Sequence, residues 1–306
     1  MISIIVTEED HCRSVESWLR QRMPSATAGY LHQLVKNGHL AVNGAPATEL
    51  APLLVGDRLT LKESGRTRSL LSAKPPAIDI LYEDDMVVCL NKPPGLAMHP
   101  AAEVGPENLV DSATAYIRLR EQAVHPDRQP AGYRLRPVNR LDRGTSGSVL
   151  LAKSATAAGI FGKLVMEEGL GKLYLALVNG RIEGHGLIDL PVEEKDAVTL
   201  FRSIFSDRSA SLVALWPQTG RMHQLRQHMR HIGHPILGDR RYGGPPLAGS
   251  PGFPLHAFRT WFTHPVDGRD TVIHAPLPPV FLELLHRLTG ERCLPILGSL
   301  PDLSES

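Results

Sequence analysis

The sequence predicts an α+β fold with a mixed, mainly antiparallel central sheet, preceded by a small module of two helices and a hairpin. Many apolar strand-like segments are separated by only a few dispersed helical ones, which favours this fold class. No segment combines strand-helix alternation with the glycine-rich loop that a nucleotide-binding fold needs. The 306 residues provide enough chain for one large domain and one small one.

Residues 1–62 form the predicted small module, because apolar residues at helical spacing indicate two short helices. The residues are Val15, Trp18 and Leu19 in the first helix and Tyr30, Leu31, Leu34 and Val35 in the second. Asn37-Gly38 is a typical helix stop. The segment LAVNG then alternates and turns at Asn43-Gly44, a strong hairpin signal, and VGDRLTL adds a strand.

Residues 63–76 are polar and end in two prolines, so we predict a linker there. The large domain then covers residues 77–290, and residues 291–306 form a C-terminal tail. A short strand is expected at the start of AIDILYEDD, before its acidic turn, and further strands at MVVCL, SVLLAK and LYLALVNG and within the stretch 189–217. Helices are expected over 155–168, across MHQLRQHMRHIG and at FLELLHRLTG.

Composition excludes several classes of protein. With 42% hydrophobic and 21% charged residues, the chain is typical of a soluble globular protein. No apolar run approaches the roughly 18–20 residues of a membrane helix, and the first residues lack the basic region of a secretory signal. The cysteines Cys12, Cys89 and Cys293 show no pairing or metal spacing. We therefore expect a reduced, cytoplasmic location and no membrane partner.

The distribution of charge is more informative than the net charge of +1. Arginines are concentrated in two regions of the sequence with few acids between them. The first region has Arg118, Arg120, Arg128, Arg134, Arg136, Arg140 and Arg143, and the second has Arg221, Arg226, Arg230, Arg240 and Arg241. If folding brings them together, they form a basic groove suited to nucleic acid. The alternative is that they are scattered over the surface.

The stretch RPVNRLDRGTSG places one carboxylate, Asp142, between Arg140 and Arg143, directly before a Gly-Thr-Ser-Gly turn. One interpretation is a solvated turn between two strands, because charged turns are common. The other is that positive surroundings keep Asp142 ionised, so that it can attack or deprotonate a substrate.

The stretch TGRMHQLRQHMRHIGHP predicts a helix with Met222, Leu225, Met229 and Ile232 on one apolar face. A cation at a helix N-terminus is disfavoured by the macrodipole, so Arg221 needs a carboxylate partner, and Asp142 is the candidate. The alternative is a structural salt bridge of little net value. The four histidines of the stretch lack an accompanying carboxylate, and the arginines would repel a dication, so no metal site is predicted.

Lys172 and Tyr174 lie two apart at the start of a predicted strand, which places an aromatic ring beside a cation. Packing of Tyr174 in the core is the plainer interpretation. LNKPPG, with Lys92 before two prolines, indicates a rigid loop and supports no functional prediction alone.

Taken together, five ordered blocks between about residues 77 and 290 resemble one family, the RluA-type RNA pseudouridine synthases. The blocks are LYEDDMVVCLNKPPGLAMHP, RLDRGTSG with LLAK, KLYLALVNG, TGRMHQLRQHMRHIGHPILGDRRYG and LHAFRTWFTHP. The resemblance implies the fold of a pseudouridine synthase catalytic domain. It also implies an isomerase that uses neither a metal nor an organic cofactor.

By the same resemblance, Asp142 is the catalytic residue and Arg221 holds it. Arg140 occupies the space vacated by a flipped uridine, Tyr174 stacks on the flipped base, and Leu225 closes the pocket, with Lys172 in support. Whether Asp142 attacks the sugar, attacks the base or removes a proton stays open. A dead synthase fold that only binds RNA would be expected to lack Asp142, Tyr174 or Arg221, and all three are present. A metal-dependent RNA hydrolase would need carboxylates near the histidines.

The N-terminal module resembles the small RNA-binding module of the ribosomal "S-four" type, although Ala28 stands where that family usually has an arginine. Residues expected to bind RNA are Lys36, Arg20 and Arg22 in the module and Arg143 and Arg226 in the large domain. The expected partner is RNA, with large-subunit ribosomal RNA preferred and transfer RNA the alternative. A monomer is expected.

Overall fold

The computed structural model describes residues 1–7, 10–23, 26, 28–72, 78–99, 108–124, 134–167, 169–247, 252–290 and 295–296. By their internal contacts the residues form two compact units. The N-terminal unit comprises Met1–Ile78 and His99–Leu135, and the large unit comprises Asp79–Met98 and Arg136–Ser306. None of the helices in the described ranges has the length and apolar character needed to span a bilayer.

The N-terminal unit contains four strands and four helices in its described residues. The strands are β1 (Ile2–Ile5), β2 (Leu40–Val42), β3 (Ala45–Pro46) and β4 (Arg58–Leu61), and the helices are α1 (Val15–Arg22), α2 (Ala28–Lys36), α3 (Gly65–Ser72) and α4 (Leu109–Val124). The strands form one antiparallel sheet in the order β1-β4-β2-β3. Both expected helices and the expected hairpin are present. Asn43 and Gly44 have φ of 52° and 85°, as a type I′ turn requires.

Three elements of this unit were not predicted: β1, α3 and α4. The segment 63–76, expected to be a linker, contains α3. The Ser64 hydroxyl accepts a hydrogen bond from the Thr67 amide at 3.0 Å and caps this helix. Leu70 is buried in the same core as Trp18 of α1, so the helix packs onto the module.

In its described residues, the large unit contains ten strands and three helices, together with a short 3₁₀ helix at Arg240–Tyr242. The strands are β5 (Ile80–Glu83), β6 (Val87–Lys92), β7 (Arg136–Pro137), β8 (Ser146–Ala152), β9 (Gly171–Asn179), β10 (His185–Asp189), β11 (Val198–Ser206), β12 (Ala210–Pro217), β13 (Leu255–Thr263) and β14 (Asp270–His274). The helices are α5 (Ala155–Glu167), α6 (Gln224–His231) and α7 (Pro279–Thr289).

All ten strands belong to one sheet, with the main order β10-β11-β12-β9-β13-β8-β6-β5. The pairing of β8 with β13 is parallel, and the other pairings among the described strands are antiparallel. The mixed, mainly antiparallel α+β fold expected from the sequence is therefore confirmed.

Two apolar clusters hold helices on this sheet. Phe161 of α5 packs with Leu150 of β8, and Phe281 of α7 packs with Leu173 and Leu175 of β9. Because side chains alternate along a strand, the neighbouring polar residues of β9 face the other side of the sheet. That other side carries the site described below.

Candidate active site

Asp142 lies in the tight loop that connects β7 to β8. Its carbonyl accepts a hydrogen bond from the Thr145 amide at 3.1 Å, which closes the turn. A Cβ atom at Gly144 would lie 2.5 Å from the ring of Phe253, so a larger residue there would have to displace that ring. The closed turn thus fixes the position of Asp142 just before β8 begins.

A buried lysine also anchors this loop. Lys92, at the end of β6, is fully buried and donates to the carbonyls of Pro93, Leu96 and Arg143 at 2.9, 2.8 and 3.0 Å. Burial lowers the pKa of Lys92 to about 7, although the charge of Asp142 acts in the opposite direction. Only an ammonium has a proton for each of the three carbonyls. Lys92 therefore joins the Pro-Pro-Gly loop to the loop of Asp142.

A cavity of about 450 Å³ opens beside Asp142. The sequence-predicted residues that line it are Arg140, Asp142, Lys172, Tyr174, Arg221, Leu225 and Arg226. The structure thus brings together residues of the β7–β8 loop, of β9, and of α6 and the turn before it, which are distant in sequence. Among the described residues that line the cavity, Asp142 is the only carboxylate.

Arg226 is the partner of Asp142. Its Nη1 donates to Oδ2 of Asp142 at 2.9 Å, while Nε and Nη2 donate to the two carboxylate oxygens of Asp239 at 2.7 and 2.9 Å. The guanidinium also lies between two rings, 4.8 Å from the centroid of Tyr242 and 4.5 Å from that of Phe253. Burial alone would lower the pKa of Arg226, but the hydrogen bonds to both carboxylates raise it above its usual value.

The expectation that Arg221 holds Asp142 is therefore wrong. The Arg221 side chain is exposed, and its Nε donates to the carbonyl of Asp196 at 2.9 Å. The prediction placed Arg221 at the entry of the helix, whereas α6 begins only at Gln224, because His223 has a left-handed backbone with φ of 56°. Arg226, which the sequence assigned to RNA binding, instead has its side chain buried in two ion pairs.

Gln224 fixes the turn that precedes α6. Its side-chain oxygen accepts from the Thr219 hydroxyl at 2.7 Å and from the Arg221 amide at 3.0 Å. Its side-chain nitrogen donates to the Val198 carbonyl at 2.9 Å. The Thr-Gly-Arg-x-His-Gln pattern thus encodes a specific turn, and this turn directs Arg226 toward Asp142.

Tyr174 and Lys172 come from the same side of β9. Tyr174 is buried, and burial raises the pKa of its phenol, with a smaller contribution from the charge of Asp142. Lys172 is half-buried by area, yet desolvation lowers the pKa of its amine to about 8. Leu225, on the first turn of α6, is buried and provides an apolar wall.

Two residues beside Asp142 were missed by the sequence reasoning. His223 places Nε2 3.8 Å from Oδ1 of Asp142, and its Nδ1 lies 2.9 Å from the hydroxyl of Tyr242. His223 was considered only as a possible metal ligand, and Tyr242 was not considered. Both belong to the TGRMHQLRQHMRHIGHPILGDRRYG block, which was the only signal available.

Among the remaining predicted RNA-binding residues, Arg143 of the large unit does not line this cavity. Arg143 is exposed and its Nε donates to the Gly95 carbonyl at 3.0 Å. In the N-terminal unit, Lys36 is exposed at the end of α2, and Arg22 donates to the buried carboxylate of Asp10 at 2.8 Å. The side chain of Arg20 lies outside the described residues. The basic groove would involve both units, and it remains a prediction.

The histidines of α6 do not form a cluster. The ring of His228 is buried, with its nitrogens 2.9 Å from the Thr199 hydroxyl and 2.9 Å from the Leu190 carbonyl. His231 is exposed. Within the ranges that the structure describes, no three His, Cys, Asp or Glu side chains are placed to hold a metal ion.

Comparison with known proteins gives a consistent result. The family model for RNA pseudouridylate synthase matches residues 86–231. The chain is 30% identical to the uncharacterised RNA pseudouridine synthase YlyB of Bacillus subtilis, covering 94% of this chain and 98% of that one. It is also 30% identical to ribosomal large subunit pseudouridine synthase D of Neisseria meningitidis serogroup A, covering 90% and 79%. The solved structure of human RNA pseudouridylate synthase domain containing 4 shares the fold, with a TM-score of 0.55 at 24% identity, covering 69% of this chain and 92% of that one.

Proposed function

Because the chain belongs to the RluA-type RNA pseudouridine synthases, isomerases that act on RNA, we propose that it converts specific uridines of large-subunit ribosomal RNA into pseudouridine, with Asp142 as the reacting group. The observation that carries the role of Asp142 is its position. It is the only carboxylate among the described residues that line the cavity, and Arg226 holds its Oδ2 at 2.9 Å.

The isomerisation breaks the bond between N1 of uracil and C1′ of ribose and forms a bond between C5 and C1′. The hydrogen of C5 leaves as a proton, and N1 gains one. Asp142 acts as an anion in each of three possible routes, which are attack on the sugar, attack on the base and removal of a proton. Overall, no atoms or electrons are gained or lost, so we propose that neither a metal nor an organic cofactor takes part.

The size and the lining residues of the cavity support the entry of a flipped uridine base. Taking a uridine out of its stack costs a few kcal/mol, and stacking on an aromatic ring returns roughly 1–3 kcal/mol. Tyr174 supplies that ring and Leu225 the opposing apolar wall. Arg140 is exposed at the rim, where it can occupy the vacated space, and Lys172 offers a cation beside the base.

Ribosomal RNA is the proposed substrate because relatives at 30% identity are named ribosomal large subunit pseudouridine synthase D. The exposed Arg140, Arg143 and Arg221 are proposed to contact phosphates. Lys36, Arg20 and Arg22 of the N-terminal module are proposed to add affinity. We propose that residues 1–62 act as a separate RNA-binding module and that the protein works as a monomer.

The test measures one substitution, Asp142→Asn, on two candidate substrates, large-subunit ribosomal RNA and transfer RNA. Asp142→Asn removes the charge but keeps the shape, so we expect no pseudouridine in a large-subunit ribosomal RNA transcript and RNA binding within a few-fold of the parent. Asp189→Asn, an exposed carboxylate on β10, is the matched control and should stay active.

Two results would contradict the proposal. A folded Asp142→Asn protein that keeps a tenth of the parental turnover would place the chemistry on another residue. Activity on transfer RNA alone would refute the proposed substrate but not the reaction. Activity of the parent in excess chelator tests the absence of a metal requirement.

A further inference from the structure

His223 has a backbone conformation that is uncommon for residues other than glycine. Its φ is 56° and its ψ is 20°, the left-handed region, which costs energy when a side chain is present. A strained backbone conformation of this kind persists only where the surrounding structure holds the residue in it. Here the conformation directs the imidazole ring into the cavity beside Asp142.

Each oxygen of the Asp142 carboxylate faces one side-chain nitrogen. Nη1 of Arg226 lies 2.9 Å from Oδ2, and Nε2 of His223 lies 3.8 Å from Oδ1. The second distance is longer than a hydrogen bond. Hydrogen bonds in a reactive site often tighten only when the substrate is bound.

Tyr242 contacts both side chains that face the carboxylate. Its hydroxyl lies 2.9 Å from Nδ1 of His223, and its ring lies 4.8 Å below the guanidinium of Arg226. One residue of the 3₁₀ helix thus fixes the histidine through its hydroxyl and the arginine through its ring.

We propose that His223, anchored by Tyr242, is a positioning residue for Asp142, and that its Nε2–H is the second donor to the reacting carboxylate. The inference rests on the role of Asp142 proposed above. With the proton on Nε2, the Nδ1 lone pair accepts from the Tyr242 hydroxyl, so both ring nitrogens have a suitable partner.

The charges around the ring agree with a neutral imidazole. Burial lowers the pKa of His223, and the cations Arg226 and Arg241 act in the same direction, while Asp142 and Asp239 oppose them. A neutral ring orients the carboxylate without cancelling its charge, which leaves Asp142 an effective anion.

Two substitutions at one position separate this role from a purely structural one. In His223→Gln, the longer side chain can place an amide N–H near the position of Nε2. In His223→Asn, the shorter side chain reaches only to the position of Nδ1. The backbone preference has the reverse order, because asparagine adopts the left-handed region more readily than glutamine.

We therefore expect His223→Asn to lower kcat about 10-fold or more, the effect of losing one hydrogen bond to a charged group. KM for the RNA should stay within about two-fold, because the ring orients the carboxylate and does not bind phosphate. His223→Gln should keep more activity than His223→Asn. If the asparagine variant is the more active one, the residue serves only the turn and the proposal is wrong.

Tyr242→Phe leaves position 223 unchanged and removes one oxygen, so it decides the question if the histidine variants do not fold. We expect a lower kcat at unchanged KM, and an unchanged kcat would refute the anchoring. His231→Asn, an exposed histidine at the end of α6, should behave as the parent. Asp142→Asn is measured alongside. If it is inactive while the His223 variants match the parent, only this inference fails, whereas an active Asp142→Asn removes the proposed role of Asp142, on which this inference rests.

Discussion

Replacing Arg226 by lysine tests the pairing that the structure assigns to Asp142. The guanidinium makes three charge-assisted hydrogen bonds, one to Asp142 and two to Asp239. Lysine keeps the charge but has a single ammonium in place of the planar fork. It can satisfy one of the two carboxylates, and the more buried Asp239, which is 2% exposed, has the greater need of a cation.

The expected loss follows from the bonds that lysine cannot replace. A hydrogen bond to a charged group contributes roughly 1.5–3 kcal/mol. Losing two of the three should therefore lower the free energy of unfolding by about 3 kcal/mol or more. In a unit of this size, that corresponds to a fall in Tm on the order of 10 °C. The Asp142 carboxylate would lose its orientation, and we expect kcat to fall about 100-fold, equivalent to about 2.7 kcal/mol.

The assay is pseudouridine formation on a ribosomal RNA transcript at a temperature where both proteins are folded, with thermal unfolding measured on the same preparations. Arg230→Lys, an exposed arginine one turn further along α6, is the control and should match the parent. Arg221→Lys should mainly raise KM, because Arg221 lines the cavity without pairing with Asp142. If Arg221→Lys loses about 100-fold in kcat while Arg226→Lys stays near the parent, the assigned pairing is refuted.

Two further predictions concern stability. Burial lowers the pKa of His256 to about 4, whereas the unfolded value is about 6.5, so the unfolded chain binds the proton first. The free energy of unfolding should therefore fall by about 3 kcal/mol as pH falls from 7 to 4, and His256→Gln should not show this fall. Equal falls for the parent and for His256→Gln, measured by urea unfolding over that pH range, would contradict the prediction. Gly144→Ala should lower stability by roughly 1–3 kcal/mol, because the new Cβ meets Phe253, and it should lower kcat by displacing the loop. Gly159→Ala, in α5 with open space around it, should be neutral or stabilising, and equal effects of the two alanines would contradict the steric argument.

The elements that the sequence predicted are those with a strong local signal. The helices α1 and α2 have apolar faces and the hairpin has an Asn43-Gly44 turn, so local chemistry determined them. The helix α3 was missed because GRTRSLLS is mostly polar, and packing of Leu70 onto the module stabilises it together with the Ser64 cap. The strand β1 is four residues long and depends on its pairing with β4.

The motif blocks grouped the candidate site residues but did not predict which arginine pairs with Asp142. The motif blocks identified Asp142, Tyr174 and Leu225 as neighbours, and the structure places all three on one cavity. Which arginine faces Asp142 depends on the residue at which α6 begins, and that depends on the left-handed backbone of His223. Hydrophobic periodicity does not specify such a conformation. The predicted helix therefore begins near Arg221, and the macrodipole indicates Arg221, not Arg226, as the partner of Asp142.

The position of β13 determines when the site can form during synthesis. This strand is among the last elements in the chain, yet it lies between β8 and β9 in the middle of the sheet. Without β13, the strand order divides into two half-sheets, one carrying Asp142 and the other carrying Tyr174 and Arg226. Each half would present an apolar strand edge that can pair with another chain. We therefore expect a nascent chain that ends before Leu255 to aggregate or need a chaperone, and the Asp142 carboxylate to meet Arg226 only when β13 joins the two halves.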